Sequence, residues 1–566
     1  MDIFNQESLL ALSNEPKDVE QFNYWVKQED IFPFLEKEIL DEHIILYALL
    51  PHVVIHSVLI SDITLNDSDI QDLLNWNHFP YSSWSEISSS DKIWIEPPLS
   101  GSGSELIRQG EQIIFIRSFE GDKSKLKYYE IEQRITHVLD IHFMEEREAW
   151  CRLDRFGDIE DIIKIIRLDD LDKNEEGILI CVQKQALGYY ASLVGAKLLR
   201  MFDFTRYKSN KFWGWFDNQE ASFEECNTVF SRLVVYPNYG SYSRGIQVAD
   251  IIISQEEINR IVRGEISTDS EKKYAAYIAN DWKNKIVKEI SCNPSCLANY
   301  FTESDLPFEI TPVFFRPEVL SKYKNDRDKY QLESNSISCR GSWHLESFDI
   351  NVAGQVHTYL IYLSHLPYEE QLHWKQYNEK PKAPLSERVI KTDFEGQFYQ
   401  HYDPLSSLKC KLDKLDSLNI KWWKLRDRDA IKKVHYPFTT SKDEWAEEIL
   451  NLDQLVVEGF EKKWLKARAK ILGRSLEENF GSIMLIGECL IGINFEEEDA
   501  RQTISAFREI HNLRSKVKGH TSGQEADILT EAALKKFGSF RKHFEHLCAE
   551  CDENLDVLIN AFRDFD

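Results

Sequence analysis

The sequence predicts an α+β multidomain protein, a mixed α/β N-terminal region followed by an all-α helical bundle at the C-terminal end. Three observations predict it. At 566 residues the chain exceeds what one hydrophobic core serves, so three or four domains are expected. Strand-type apolar runs alternate with helical periodicity up to about residue 435. Beyond that point the strand signal stops and amphipathic helices follow one another with short connections. Domain boundaries are placed accordingly at 1–150, 151–305, 306–435 and 436–566.

Residues 1–150 open with short helices over 19–38. The apolar runs 44–60 and 112–119 read as strands. Residues 81–104, with their serines, Pro97, Pro98, Gly101 and Gly103, read as loop. In the second segment, 178–182 reads as a buried strand. Residues 185–202 read as a helix, with Leu187, Tyr190, Val194, Leu198 and Met201 on one side. The runs 233–236 and 246–253 read as strands, and 273–290 as a helix. The third segment is mainly β. Strand alternation marks 308–315 and 345–363, with Gly354 as a hairpin turn. Pro367 starts a short helix over 367–376, and the two prolines in 378–384 mark a loop.

The fourth segment is helical. Ser441 and Glu444 form a capping box that starts a long helix to Leu472. Trp445, Ile449, Leu452, Val456, Phe460 and Trp464 share its apolar face, and Gly473 stops it. Ser475 and Glu478 form a second box, opening a helix to about Leu490. The acidic run 496–499 suits the first turn of a third helix, which carries Ala500, Ile504, Phe507 and Ile510. One or two further helices carry Leu534, Phe537, Phe540 and Phe544, then Leu555, Leu558, Ile559 and Phe562.

Composition narrows the function classes. With 42% hydrophobic and 12% aromatic residues the chain has the material to fold throughout. A net charge of −27 argues against a protein that coats nucleic acid generally. It leaves room for a locally basic cleft: 508–518 contains Arg508, Arg514, Lys516 and Lys518 against the single acid Glu509. Ten cysteines at irregular spacings point to a reduced, cytoplasmic protein without a disulfide framework. The opening residues lack a basic stretch followed by an apolar run, so no signal peptide is expected. The longest apolar stretch, 44–60, is broken by Pro51, His52 and His56 and is too short and polar to span a bilayer, so no membrane association is expected.

The third helix delivers Arg514, Ser515, Lys516, Val517, Lys518, Gly519 and His520 in succession. RNA can be cut by side chains alone if protons of the 2′-OH and the leaving group are handled and charge on the phosphate is stabilised. Histidine titrates near neutrality and serves the first role. Arginine presents a permanently charged fork that matches phosphate oxygens. Six positions along a helix turn about 600°, so the two side chains would point roughly 120° apart unless the helix bends or ends between them. Gly519 provides that freedom. The plainer reading is a positively charged helix end that complements the helix dipole.

This stretch resembles the Arg-x(4–6)-His motif of the HEPN superfamily, whose active members are RNA-cutting helical bundles. The resemblance covers roughly the last quarter of the chain. It implies a metal-independent endoribonuclease with Arg514 and His520 as catalytic residues. Lys516, Lys518 and Ser515 would contact the RNA substrate. In the family a polar Asn, Asp or His commonly follows the arginine; here it is Ser515, which still hydrogen-bonds. The resemblance further implies a homodimer in which two motifs face each other, and a role as a toxin or antiviral-defence effector. Residues 1–435 would then sense a protein or small-molecule trigger and restrain the bundle. The alternative is a catalytically silent HEPN bundle used for dimerisation or RNA binding. A third reading places an enzyme within 1–435, where no motif is visible.

Other constellations have plainer explanations. His543, His546, Cys548 and Cys551 form a tempting zinc pattern, but on one helix they spread over about 200° and cannot surround one ion. Cys292 and Cys296 are weaker still. No metal and no cofactor is therefore expected. Glu369 and His373 read as a surface helix pair. Trp422 and Trp423, between Lys421 and Arg426, read as packing against the bundle, and Phe314 to Pro317 with Lys322 to Lys324 read the same way. No P-loop, H-E-x-x-H or G-x-S-x-G motif occurs.

Overall fold

The computed structural model describes residues 4–12, 14–76, 83–119, 126–168, 177–208, 220–236, 238–262, 273–301, 303–399, 402–518 and 524–563. The chain divides into two compact units, Met1–Glu271 and Lys272–Asp566.

The first unit is organised by an 11-stranded antiparallel sheet. Its path runs Glu220–Cys226, Val229–Tyr236, Gly240–Ala249, Ala196–Tyr207, Val53–Ser61, His43–Leu50, Gly177–Gln183, Ile159–Leu168, Ala149–Leu153 and His142–Met144, with Glu111–Gln112 also paired to Val53–Ser61. The central strands are nearly continuous apolar runs because both faces are covered. On one face Ile44, Leu46, Leu59 and Leu198 pack with Leu187 and Tyr190 of helix Lys184–Val194. On the other, Ile45, Ala48, Ile55, Phe202 and Phe204 meet Leu9, Ile31 and Leu35 from the N-terminal helices.

That double coverage explains a misread. The helix expected over 185–202 ends at Val194, where Gly195 takes φ +63, and Ala196–Tyr207 is the strand that follows. Leu198 pairs with both Leu59 and Ala249. Leu198, Leu199, Met201 and Phe202 are all fully buried, so no two-residue alternation remains in the sequence to announce a strand. The centre of this strand carries Arg200, itself buried, with its Nε 3.0 Å from Gln247 Oε1 and an ion pair to buried Glu38.

In the second unit a 6-stranded antiparallel sheet is built from Ala276–Asp281, Ile286–Ser291, Pro312–Phe315, Asp349–Ile350, Val356–Tyr359 and Asn378–Glu379. Residues 273–290, expected as a helix, form a hairpin instead. Tyr277, Ala279 and Asp281 are fully buried at alternate positions, and Lys285 turns the chain at φ +54. The expected strand over 345–363 is divided. Gly354, at φ +74, lies in the turn between Asp349–Ile350 and Val356–Tyr359, and Leu360–Ser364 is helical. Tyr368–Gln376 is a helix with Pro367 as its N-cap.

The C-terminal part of this unit is helical: α1 (Pro404–Ser417), α2 (Lys442–Val456), α3 (Lys462–Ile471), α4 (Ser482–Gly492), α5 (Glu497–Thr503), α6 (Ser505–Leu513), α7 (Gln524–Phe537) and α8 (Phe540–Ala561). Their shared core includes Trp445, Ile449, Leu452, Leu485, Phe507, Phe544 and Leu555. The Ser441 side chain caps α2 by accepting from the Glu444 N–H. The single helix expected from Ser441 to Leu472 is two helices. A Cβ on Gly459 would lie 2.2 Å from Trp423 Nε1, so the chain opens there to admit the buried indole. Trp423 Nε1 donates to the freed Val456 carbonyl at 2.9 Å. Gly473 ends α3 at φ +77. The helix expected to open at Ser475 starts instead at Ser482, because Leu476 and Phe480 first pack onto the core as irregular chain. Among the described residues no helix is long and apolar enough to cross a membrane.

Candidate functional site

The site forms where α2 and α6 meet. Asp453 sits on the last turn of α2, four positions from Ile449, and therefore falls on the helix's apolar arc. Its side chain is fully buried (0% exposed). Burial pushes the Asp453 carboxyl above its usual range, against the pull of His511 and Arg514. The group compensates through its partners. The His511 ring nitrogen Nδ1 lies 3.1 Å from Oδ1, and Arg514 Nη1 lies 3.0 Å from Oδ2. Arg514 Nη2 reaches Glu458 Oε1 at 3.1 Å, just past the end of α2.

Arg514 belongs to a wider turn. Helix α6 ends at Leu513 and Arg514–Lys518 continues as a single π-helical turn. The regular α-helix is thus interrupted at Arg514, five residues before Gly519, where the sequence places the break. Such single π turns recur at functional sites. Val517 anchors the turn in the core. The Ser515 hydroxyl donates to the His511 carbonyl at 2.9 Å and otherwise faces solvent. Lys516 Nζ pairs with Glu525 at 3.2 Å. His520 and the side chain of Lys518 lie outside the described residues. The structure therefore places Arg514, Ser515 and Lys516 on one turn and leaves the relation of Arg514 to His520 undescribed.

The exposures are graded usefully. The His511 side chain is 50% exposed and that of Arg514 32%. A buried carboxylate that accepts from Nδ1 fixes the imidazole so that Nε2 is the nitrogen presented outward, the orientation used by acid–base histidines. Arginine has five N–H donors, and among the described residues Arg514 commits its two terminal nitrogens to one carboxylate each, so donors remain for an anion.

Asp453, Glu458 and His511 were missed by sequence reasoning. Two signals pointed to the first and last of these: an acid four positions after Ile449 in the apolar repeat, and a histidine one helical turn before the arginine.

The other constellations resolve as packing. His543, Cys548 and Cys551 are buried within α8, and His546 pairs with Glu550 at 3.3 Å. Burial raises both thiols well above the usual cysteine range. Among the described residues no cluster of His, Cys, Asp and Glu is arranged to hold a metal ion. His373 Nε2 meets the Val319 carbonyl at 2.9 Å. Phe314, Phe315, Trp422 and Trp423 are buried. Lys322 pairs with Glu370, and Lys324 pairs with Glu444 at 2.8 Å and Glu448 at 2.6 Å.

No protein-family profile, curated protein or solved structure matches this chain.

Proposed function

We propose that the helical C-terminal region is an endoribonuclease of the HEPN type that works without a metal ion. One observation carries the reading: a fully buried carboxylate, Asp453, holds the guanidinium of Arg514 and the imidazole of His511 together at a partly solvent-facing π turn. In the reaction the 2′-oxygen attacks the adjacent phosphorus and the bond to the 5′-oxygen breaks. The products are a 2′,3′-cyclic phosphate and a 5′-hydroxyl. Arg514 steadies the phosphate oxygens as charge builds. Histidine takes the 2′-OH proton and returns one to the leaving oxygen. His520 has that role by family resemblance, and His511 is the histidine that the geometry adds. Residues 1–435 act as the sensing and restraining region, and the whole serves as a toxin or antiviral effector.

A second reading is favoured by the same contacts. Arg514 bridges Asp453 and Glu458, which also describes a structural clasp in a catalytically silent bundle. Purified full-length protein on structured RNA separates the two. In the nuclease reading, Arg514→Ala and His520→Ala each lower the cleavage rate on the order of 10²–10⁴-fold while circular dichroism shows the fold intact, and EDTA leaves cleavage intact. No cleavage by the parent protein, with Arg514→Ala lowering the melting temperature, supports the clasp; undiminished cleavage in both variants removes Arg514 and His520 from the chemistry.

A further inference from the structure

Helix α3 carries charge that its own fold does not neutralise. Lys462, Lys463, Lys466 and Lys470 fall within an arc of about 100° on the helix surface. Lys462, Lys463 and Lys470 are exposed and Lys466 is half-buried. Among the described residues none of the four has an ion-pair or hydrogen-bond partner. Other cations of this region are matched: Arg426 to Glu461 at 2.7 Å, Arg474 to Glu488 at 2.7 Å, and Lys516 to Glu525 at 3.2 Å.

The arrangement opposes helix stability. Lys462, Lys466 and Lys470 are like charges spaced four apart, and Lys462 and Lys463 face the positive end of the helix dipole. In a chain with 95 acidic and 68 basic residues, four neighbouring lysines without an acid stand out. A polyanion relieves both penalties. The repeat of the three lysines, about 6 Å per pair along the axis, is comparable to the step between successive backbone phosphates. An acidic bilayer fits less well, since a helix lying in a membrane surface inserts an apolar face. In α3 that face is spent on the core: Leu465 and Ala469 are fully buried, and Ile471 alone among its large apolar residues is strongly exposed, at 74%.

The stripe also begins beside the candidate site. Glu458, the partner of Arg514, precedes Lys462 by four residues, at most about 14 Å of chain. We propose that the lysine face of α3 is the track along which the sugar–phosphate backbone of RNA runs to the Arg514 site. The proposal rests on the nuclease reading only for the strand's destination.

The test uses the full-length protein and a labelled, uncleavable 2′-O-methyl RNA single strand, with binding followed by fluorescence anisotropy across a salt series. Combining Lys462→Gln, Lys463→Gln, Lys466→Gln and Lys470→Gln should flatten the plot of log affinity against log salt by about 3, near 0.7 per lost phosphate contact. Affinity at moderate salt should fall roughly 10²-fold. The corresponding four Lys→Arg changes should restore binding, and circular dichroism should show both variants folded. An unchanged slope in the glutamine variant, no RNA binding by the parent protein, or lysine-dependent binding to phosphatidylserine vesicles with RNA binding unaffected each overturns the track. Binding and cleavage fail separately. If glutamine leaves the slope unchanged while His520→Ala abolishes cleavage, the nuclease stands without the track. If the lysines carry RNA binding and no variant cleaves, the track stands without the nuclease.

Discussion

A carboxylate buried among leucines is costly unless it is used, and Asp453 is used twice. Its position on the apolar arc of α2 was visible in the sequence; its partners, fifty-eight and more positions away, were not. Buried ionisable groups also set how the protein responds to pH. Burial lowers His56 and His357 to about 4 and His435 to about 3. For His435 the nearby Lys409, Lys324 and Arg327 reinforce the shift. A histidine kept neutral in the folded state binds its proton more readily once unfolded. Its stabilising effect is therefore full above the unfolded value near 6.5 and is lost as pH falls toward the folded value. Each such group costs on the order of 1.4 kcal/mol per pH unit across that window. Melting temperature should fall steeply between pH 6.5 and 4, and His56→Gln should flatten part of the slope. A melting temperature constant over that range would refute the assignment.

At the level of elements, the break between α2 and α3 positions both Glu458 and the lysine face of α3. The apolar repeat from Trp445 to Trp464 runs through the break without interruption, because both helices face one core. What divides them is the indole of Trp423, which occupies the space a side chain at 459 would need. Only glycine permits that approach, and the irregular turn it creates carries Glu458 to Arg514. Gly459→Ala should therefore destabilise the protein by about 1–3 kcal/mol, the usual cost of overpacking. Urea unfolding measures this. Stability equal to the parent would mean that the indole moves aside freely and the break has another cause.

On the scale of the whole molecule, the proposed nuclease would draw few catalytic groups from one Arg514 with one or two histidines. A twofold axis doubles them and suits a superfamily whose motifs face each other. We expect the full-length chain to be a dimer by light scattering at micromolar concentration, with cleavage falling as dilution populates the monomer. A monomer that cleaves with undiminished rate would remove the composite-site idea. The strongly acidic composition would confine any attraction for a polyanion to local surfaces, as the proposed track on α3 requires.

Local signals alone sufficed where a segment's neighbours in space are also neighbours in sequence. Helix starts at Ser441 and after Pro367, the stop at Gly473, the turn at Gly354 and the helical character of the C-terminal region all follow from residues within one or two turns. Segments 185–202 and 273–290 were misread for the opposite reason. Their hydrophobic pattern answers to strands pairing from distant parts of the chain, as Leu198 does with Leu59 and Ala249. The candidate site divides in the same way. Arg514 and its basic neighbours are a local motif, legible in one stretch of sequence. Their joining to Asp453 and Glu458, and the π turn that presents them, arise only when α2 packs against α6, because burial and charge pairing are properties of the packed chain and not of any one segment.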